Sequence, residues 1–260
     1  MDGLPRIELG ISLAGLDWGA SQAGLDVRAQ IAWVAEMGLR WVVLDGSNAG
    51  VRAREMGRSA RRDLASLLRR HEISCAGVDL WIPPKHLSDA ERVDRAVEAL
   101  GEAAGLAADL AALTGGRSVV CCTLARHGEA EEAVRSAVEH AARSGGVLAD
   151  CGWPVRDDAA EGGVPGLGVG VDPATVLLAG EDPARTVSRL GGAVVCARLS
   201  DADDSGRVTP GRGRLDRLAY EVAAITAGVP MPMVLDLRGI RDGARHVARL
   251  IRDADGGIGP

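Results

Sequence analysis

Six apolar runs of this 260-residue chain end in an acidic residue, and carboxylates are the groups that bind divalent metals or move protons in enzymes. The six acids are Asp45, Asp79, Asp150, Asp172, Asp201 and Asp236. Burying a carboxylate without a partner costs free energy, so acids at equivalent positions indicate shared ligands or mutual pairing. The alternative for each of them is a turn or helix cap, a role that Asp before Gly or Pro commonly has.

Several cationic and aromatic groups accompany these acids. Arg198 precedes Asp201 and Arg238 follows Asp236, so both arginines are candidates to pair with the acids. A second group follows the third apolar run, where Trp81 could form a wall of a binding site or pack on a helix. Lys85 and His86 in the same segment are candidate substrate-binding or acid/base groups, although a histidine beside a loop is more often simply exposed.

A glycine-rich segment, Gly211-Arg212-Gly213-Arg214, follows the seventh apolar run. In α/β barrels this loop often binds phosphate through backbone N–H groups, which makes Gly211 and Gly213 candidate substrate-binding residues. The alternative is a tight turn that leads into the next helix.

Eight short apolar runs are typical of strands and predict the elements that position these residues. They are Ile7–Leu13, Trp41–Leu44, Ser74–Leu80, Ser118–Cys122, Val147–Asp150, Gly168–Val171, Val194–Leu199 and Met233–Leu237. Helix-period segments lie between them, so the chain consists of βα units with a parallel sheet. Eight such units in about 250 residues predict one closed (β/α)₈ TIM barrel over residues 1–260, whose strand ends form the active-site face.

The helical segments complete this arrangement. They are Gln22–Met37, Arg58–His71, a long helix from an N-cap at Ser88 to about Leu113, Glu129–Arg143, Asp182–Leu190, Leu215–Ala227 and Asp242–Asp255. Cys151–Leu167 is rich in proline and glycine, so we expect the fifth helix to be shortened or replaced by a loop. Phe is absent and Tyr occurs once, so branched aliphatic residues and Ala must fill the interior.

Composition restricts the location and the partners. The net charge is −6 without a basic, aromatic-rich stretch, which argues against nucleic-acid binding. The sequence shows no membrane span or secretory signal, and its five cysteines form no CxxC pair, so we expect reduced thiols in the cytoplasm. The expected partner is a small carbohydrate-like molecule, and a homo-oligomer is compatible with the sequence.

Seven short motifs follow one another along the chain: Leu39–Asp45, Asp79–Pro84, Val171–Ala174, Ala179–Pro183, Arg198–Asp201, Pro210–Asp216 and Val234–Asp236. Their order resembles that of the xylose isomerase-like superfamily, which includes sugar-phosphate isomerases and epimerases. The resemblance spans nearly the whole chain. The resemblance implies a divalent metal (Mg, Mn, Co or Zn) at the barrel mouth and an acid that moves a proton between adjacent carbons.

The ligand set that the resemblance implies is incomplete in this chain. Asp172 matches the acid after strand six, and Asp236 stands at the position of the strand-eight Glu. Thr175 and Arg198 occupy the positions of the two histidine ligands, and Cys121-Cys122-Thr123 offers no strand-four Glu. Asp150, Asp172 and Asp236 could still form an all-oxygen metal site, or a cysteine could serve Zn²⁺, but we favour a metal-free mouth because Arg198 places a permanent positive charge there.

Two functions follow from this resemblance. The first is a sugar or sugar-phosphate isomerase or epimerase that transfers protons at the mouth, with Asp172, Asp201, Asp236 and Arg198 as catalytic candidates. The second is a catalytically degenerate barrel that binds a small polyol or sugar acid, or that serves as a partner subunit, without a metal. The missing histidines motivate the second function.

Overall fold

Eight parallel strands close into a barrel in the computed structural model, which describes residues 7–20, 24–126, 128 and 130–254. The barrel strands are β1 (Leu9–Ser12), β2 (Trp41–Asp45), β3 (Ser74–Asp79), β4 (Val119–Cys122), β5 (Val147–Asp150), β6 (Leu167–Val171), β7 (Val194–Leu199) and β10 (Met233–Leu235). Each coincides with a predicted strand, with ends that differ by no more than two residues. The predicted (β/α)₈ barrel is confirmed.

Helices follow the strands and cover the outside of the barrel. They are α1 (Val27–Glu36), α2 (Arg58–Arg70), α3 (Val93–Thr114), α4 (Glu131–Arg143), α5 (Asp157–Glu161), α6 (Pro173–Leu178), α7 (Pro183–Leu190), α8 (Arg217–Thr226) and α9 (Gly243–Ala254). Across the part of the chain that the structure describes, no helix combines the length and the apolar character needed to cross a lipid bilayer.

Two helix starts differ from the prediction by more than two residues, and the predicted bounds Glu129 and Asp255 lie outside the described residues. The first predicted helix covered Gln22 and residue 23, which lie outside the described residues, and α1 begins after Asp26, whose carboxylate accepts a hydrogen bond from the Ala29 N–H. Ser88 is not the N-cap of α3, because it ends a 3₁₀ turn (Pro84–Leu87) and its hydroxyl donates to the Lys85 carbonyl. The prediction of an N-cap at Ser88 was wrong because the serine hydroxyl forms hydrogen bonds in turns as well as at helix N-termini.

A hairpin follows β7 before the chain continues to α8. Its strands, β8 (Asp201–Asp203) and β9 (Gly206–Val208), are antiparallel and lie outside the barrel sheet. Asp203 accepts hydrogen bonds from the backbone and hydroxyl of Ser205, which closes the turn between them. This hairpin carries Arg207 to the carboxyl ends of the barrel strands.

Two apolar layers lie inside and outside the strands. Leu, Ile and Val side chains fill the layer between the barrel and its helices. The lumen holds three valines and, as expected, alanines, together with three cysteines: Val43, Val119, Val234, Ala76, Ala149, Cys121, Cys151 and Cys196. These small side chains leave space in the lumen for one long charged side chain, Arg198, which is fully buried.

Candidate functional site

The carboxyl ends of the barrel strands bring together three aspartates and three arginines, which we call the mouth cluster. Its members are Asp79, Asp172, Asp236, Arg198, Arg207 and Arg238. Five of them were candidates in the sequence, and they meet because parallel strands all end on one face of the barrel. The formal charges of the six side chains sum to zero.

Arg198 is the centre of the mouth cluster. It lies on β7, and its guanidinium pairs with Asp79 at the end of β3 and with Asp236 after β10, the latter at 2.9 Å. All three side chains are fully buried. Ser12 on β1 donates a hydrogen bond of 2.6 Å to Asp79. A charge in this position requires such partners, since unpaired burial would be costly.

Arg238 and Arg207 bind the third carboxylate, that of Asp172, and also contact Asp236. Arg238 donates from Nε and Nη2 to Asp236 at 2.7 to 3.0 Å, and Nη2 also reaches Asp172 at 3.0 Å. Arg207 donates to Asp172 at 2.7 Å. The Ser200 hydroxyl also donates to Asp172, so that carboxylate is held from several sides. Arg207 and Arg238 remain about one-fifth exposed and therefore form the solvent-facing part of the mouth cluster.

A cavity of about 340 Å³ opens above the mouth cluster. Its lining residues are Trp81, Thr123, Cys151, Asp172, Thr175, Arg207, Arg238 and Gly239. The Arg238 guanidinium lies over the Trp81 ring, with Cζ 3.6 Å from the ring centroid, a cation–π contact that fixes the arginine in place. The volume lies in the range of roughly 300–1,000 Å³ that is typical of small-molecule sites.

Burial and ion pairing act differently on the two aspartates beside Arg198. Burial raises the pKa of Asp79 to about 7, and the attraction of Arg198 offsets this only in part. Burial also acts to raise the pKa of Asp236, but Arg198, Arg238 and Arg207 together hold that pKa below its usual value. Asp236 is therefore a permanent anion at neutral pH, whereas Asp79 is poised to gain or lose a proton.

Asp150 belongs to a neighbouring arrangement at the ends of β4 and β5. Its Oδ1 accepts hydrogen bonds of 3.0 Å from the backbone N–H groups of Leu124 and Gly152. Its Oδ2 pairs with Arg126 at 2.5 Å. The carboxylate thus connects two strand ends, and its oxygens are directed at protein donors.

Asp201 organises the glycine-rich loop that precedes α8. Its carboxylate accepts hydrogen bonds from the backbone N–H groups of Ala202, Gly211, Gly213 and Leu215 at 2.8 to 3.0 Å. A Cβ at position 213 would lie 2.3 Å from Asp201 Oδ1, so this close approach requires glycine. The amides of Gly211 and Gly213, which were candidates to bind phosphate, donate to Asp201, and this agrees with the alternative of a tight turn.

We expect Asp201→Ala to lower the free energy of unfolding by about 1–3 kcal/mol, because it leaves several loop amides without an acceptor. Urea unfolding followed by circular dichroism measures this change. Asp204→Ala is the matched control, since Asp204 lies in the same hairpin, is 95% exposed and pairs only at the surface with Arg214. Equal stabilities of the two variants would contradict the role given to Asp201.

Three further candidates lie apart from the mouth cluster in the contacts of the described residues. Asp45 accepts hydrogen bonds from the backbone and hydroxyl of Ser47, which closes the turn after β2. Lys85 is exposed on the 3₁₀ turn after β3. His86 lies on the same turn, with Nε2 3.2 Å from an Arg92 nitrogen. These residues were chosen from their position after a strand, which does not determine where a loop side chain points.

Unpaired donors mark the region around the cavity. Among the described residues, the buried side-chain nitrogens or oxygens without a hydrogen-bond partner are Trp81 Nε1, Arg126 Nη2, Arg198 Nε and Arg207 Nη2. All four are N–H donors. Trp81 and Arg207 line the cavity, and Arg126 packs against Gly152, which also lies beside the cavity residue Thr123. A ligand that satisfied these groups must therefore supply acceptor oxygens.

The side chains present do not fit a divalent metal ion. In the described ranges, no three His, Cys, Asp or Glu side chains come together as a metal site. The carboxylates of Asp172 and Asp236 face guanidinium groups, and Asp150 faces Arg126 and backbone amides. Cations already surround the oxygens that a metal needs, so a dication there would meet strong electrostatic repulsion.

Two arginines near the cavity, Arg207 and Arg126, were not among the residues predicted from the sequence. Arg207 escaped notice because the hairpin that carries it lies outside the barrel strands, although Asp203–Gly206 is a typical turn sequence. Arg126 follows β4 by four residues, where no periodic pattern predicts the course of the chain. Ser12, which holds Asp79, looked like the end of an ordinary strand.

Several solved structures share this barrel architecture. No protein-family model matches the chain, and no curated protein sequence matches it significantly. A xylose isomerase domain protein from Planctomyces limnophilus matches with a TM-score of 0.70 at 16% identity, over 96% of this chain and 95% of that chain. The probable 3-DHS dehydratase AsbF from Bacillus anthracis matches with a TM-score of 0.72 at 11% identity, over 97% and 100%.

A sugar epimerase has the same fold. D-psicose 3-epimerase from Clostridium cellulolyticum H10 matches with a TM-score of 0.66 at 14% identity, over 97% of this chain and 93% of that chain. At these identities the likeness shows the fold alone, a (β/α)₈ barrel that the xylose isomerase domain protein, the sugar epimerase and the dehydratase also have. The chemistry of this chain depends on its own mouth cluster.

Proposed function

We propose that this barrel binds a small sugar acid at its mouth without a metal, with the carboxylate of the ligand held by arginines. One observation supports the proposal most strongly: the described buried side-chain atoms without a hydrogen bond are all N–H donors, and two of them, Trp81 Nε1 and Arg207 Nη2, belong to residues that line the cavity. Arg207 Nη2 lies 3.4 Å from Asp236 Oδ1, so the ion pair leaves its hydrogen-bonding capacity unfilled. A polyol with a carboxylate group supplies acceptors to such donors, and arginine binds carboxylates through two parallel hydrogen bonds.

The cavity offers groups to both parts of such a ligand. Arg207 and Arg238 supply cationic donors, and Thr123, Thr175 and Asp172 offer groups that can bond to hydroxyls. Asp172 is already bonded by Arg207 and Arg238, which fixes the direction of its oxygens. Donors for a carboxylate and acceptors for hydroxyls therefore lie next to each other in one cavity.

Calorimetric titration tests the proposal. D-gluconate and D-glucuronate are compared with D-sorbitol and D-glucose, their neutral counterparts, in buffer that contains a chelator. We expect the acids to bind at least about tenfold more tightly, because a charge-assisted hydrogen bond contributes roughly 1.5–3 kcal/mol. Equal binding of acid and neutral sugar, or binding that requires an added divalent ion, would refute it.

The affinity for the acid should depend on pH through Asp79. Burial raises the pKa of Asp79 to about 7, so this carboxyl group is protonated below that pH. The mouth cluster then has three arginines and two charged aspartates, and its net charge is +1. We expect the sugar acid to bind about five- to tenfold more tightly at pH 6 than at pH 8, as a partly screened unit charge predicts. Titrations across this range measure the change.

Asp79→Asn is the control for this pH dependence. The amide stays neutral at every pH, so the variant should bind the acid with the affinity that the wild type reaches at low pH and show a flat profile. A variant that keeps the wild-type slope would assign the titration to another group.

Isomerisation or epimerisation of a sugar is the second candidate function. The observation that favours it is the position of Asp172, whose carboxylate lines the cavity beside the two guanidinium groups that would stabilise an enediolate oxygen. The fold shared with D-psicose 3-epimerase is consistent with this chemistry. Asp172 would take the proton from the carbon next to a carbonyl group.

Proton NMR in deuterated water tests this second function. Incubation with ketohexoses such as D-psicose or D-fructose would lead to loss of the signal of the hydrogen next to the carbonyl if the proton is exchanged. Exchange by the wild type that disappears in Asp172→Asn supports epimerase-type chemistry. Absence of exchange while sugar acids bind leaves sugar-acid binding as the function of the site.

A further inference from the structure

An apolar groove lies on the outside of the barrel, between α4 and the segment that leads into β6. The groove has a volume of about 600 Å³, and its apolar lining consists of Val134, Val138, Ala142, Val164, Pro165 and Leu167. The segment packs closely on α4, because a Cβ at Gly166 would lie 2.8 Å from the Ala142 Cβ. Val164 is 39% exposed, so the groove presents apolar surface to solvent.

The groove results from the short connection between β5 and β6. The helices of a (β/α)₈ barrel form an outer ring, in which each helix has a neighbour on either side. On one side α4 packs against α3. On the other side the connection contains the five-residue helix α5, followed by a segment with Gly162, Gly163 and Pro165. This side of α4 therefore lacks a full-length helix as its neighbour.

Four charged residues of α4 line the same groove, and their signs alternate. In chain order they are Glu131, Arg135, Glu139 and Arg143. They are four residues apart, which places them along one side of the helix, and all four are exposed. Within the chain, Arg143 lies 3.9 Å from Glu139, and Glu131 pairs with Arg156 at 2.8 Å. An apolar surface beside such a row suits a partner whose charges alternate in the opposite order.

A second copy of α4 carries the opposite order. When two identical helices pack in opposite directions about a two-fold axis, each residue before the centre meets the residue equally far beyond it. The row is centred on position 137, so Glu131 faces the partner's Arg143, and Arg135 faces the partner's Glu139. Each pair occurs twice, and all four contacts join opposite charges. A parallel, in-register arrangement would instead bring like charges together.

We propose that this chain forms a two-fold symmetric dimer in which α4 and the groove beside it pack against the same surface of a second copy. Burial of the apolar lining stabilises the dimer. The four ion pairs fix the antiparallel direction of the helices, because exposed ion pairs add little affinity whereas facing like charges exclude other arrangements. The interface lies on the helical layer of the barrel and uses none of the residues of the mouth cluster.

Sedimentation equilibrium of charge variants tests the pairing. We expect the wild type to form dimers at or below about 100 µM. Arg135→Glu and Glu139→Arg should each weaken dimerisation at least about tenfold, because each change turns two attractive pairs into two repulsive ones. Mixed in equal amounts, the two variants should form a heterodimer within about threefold of the wild-type affinity, since the chain with two acids then meets the chain with two bases.

A pair of valine variants tests the apolar part of the interface. Val164→Asn places an amide in the groove and should weaken dimerisation at least about tenfold, because the polar group loses its water. Val222→Asn is the matched control, since Val222 on α8 is 38% exposed and should leave the dimer unchanged. Circular dichroism verifies that each variant is folded.

Four results would each overturn the proposal. The first is a wild-type protein that stays monomeric at about 100 µM, which would assign the groove to another occupant. The second is a dimer that neither charge variant weakens, and the third is a mixture of the two charge variants that does not associate. The fourth is an equal effect of Val164→Asn and Val222→Asn on dimerisation.

Discussion

Replacing Arg198 by methionine should lower the free energy of unfolding by about 3–5 kcal/mol, because it leaves two buried carboxylates without their cation. Asp79 and Asp236 are both fully buried and both pair with this guanidinium. Asp236 keeps Arg238 as a partner, but Asp79 keeps only the Ser12 hydroxyl among its bonded partners in the described residues. Urea unfolding followed by tryptophan fluorescence measures the loss.

Two further variants make the interpretation specific. Arg40→Met removes an exposed ion pair with Glu72 through the same substitution and should cost no more than about 1 kcal/mol. Asp79→Asn in the Arg198→Met background should recover part of the lost stability, since a neutral amide costs less to bury than an unpaired carboxylate. A loss for Arg198→Met as small as that for Arg40→Met would show that Arg198 does not organise the mouth.

Replacing Arg238 by alanine should weaken the binding of a sugar acid about 10- to 150-fold, as expected for the loss of a charged hydrogen-bond donor worth roughly 1.5–3 kcal/mol. The side chain lines the cavity, stacks on Trp81 and bonds to Asp236 and Asp172. Its loss would also leave Asp172 and Asp236 with less positive charge nearby, which disfavours a second anion. Isothermal titration calorimetry with gluconate measures this change in affinity.

Charge and geometry can be separated in this experiment. Arg238→Lys keeps the charge but not the planar fork, so we expect an affinity between those of the wild type and Arg238→Ala. Arg212→Ala removes an exposed arginine of the neighbouring loop and should leave the affinity unchanged. If Arg212→Ala and Arg238→Ala weaken binding equally, the arginines act only through the overall charge, and the proposed site is wrong.

The eight strands of the barrel could be predicted from the sequence because each is a short apolar run, and all but the fifth are followed by a helix-period segment. The side-chain period of two then predicts that Cys121 and Cys122 face opposite sides of β4, and the structure confirms this with Cys121 in the lumen. The meeting of Asp79, Asp172 and Asp236 follows from the parallel strand order alone. These features depend only on the spacing of apolar residues along the chain and on the parallel order of strands in the barrel.

The pairing of individual acids and arginines could not be predicted in this way. The partner of Asp79 is 119 positions away on β7, and two further donors to Asp172 lie on a hairpin and on the turn after β10. Which arginine reaches which acid depends on how these loops bend. Asp201 shows the same limit, since its strand-end position resembled that of a catalytic acid while its loop supplied the amides that occupy it.

Crystals grown with manganese chloride and sodium gluconate, with diffraction measured at the manganese absorption edge, show whether guanidinium groups or a metal ion hold the carboxylates of the mouth. We expect the guanidinium groups of Arg207 and Arg238 on Asp172 and Asp236, the gluconate carboxylate beside these guanidinium groups, and no anomalous peak between the two aspartates. An anomalous peak bound by Asp172 and Asp236, with the arginines displaced, would contradict this expectation.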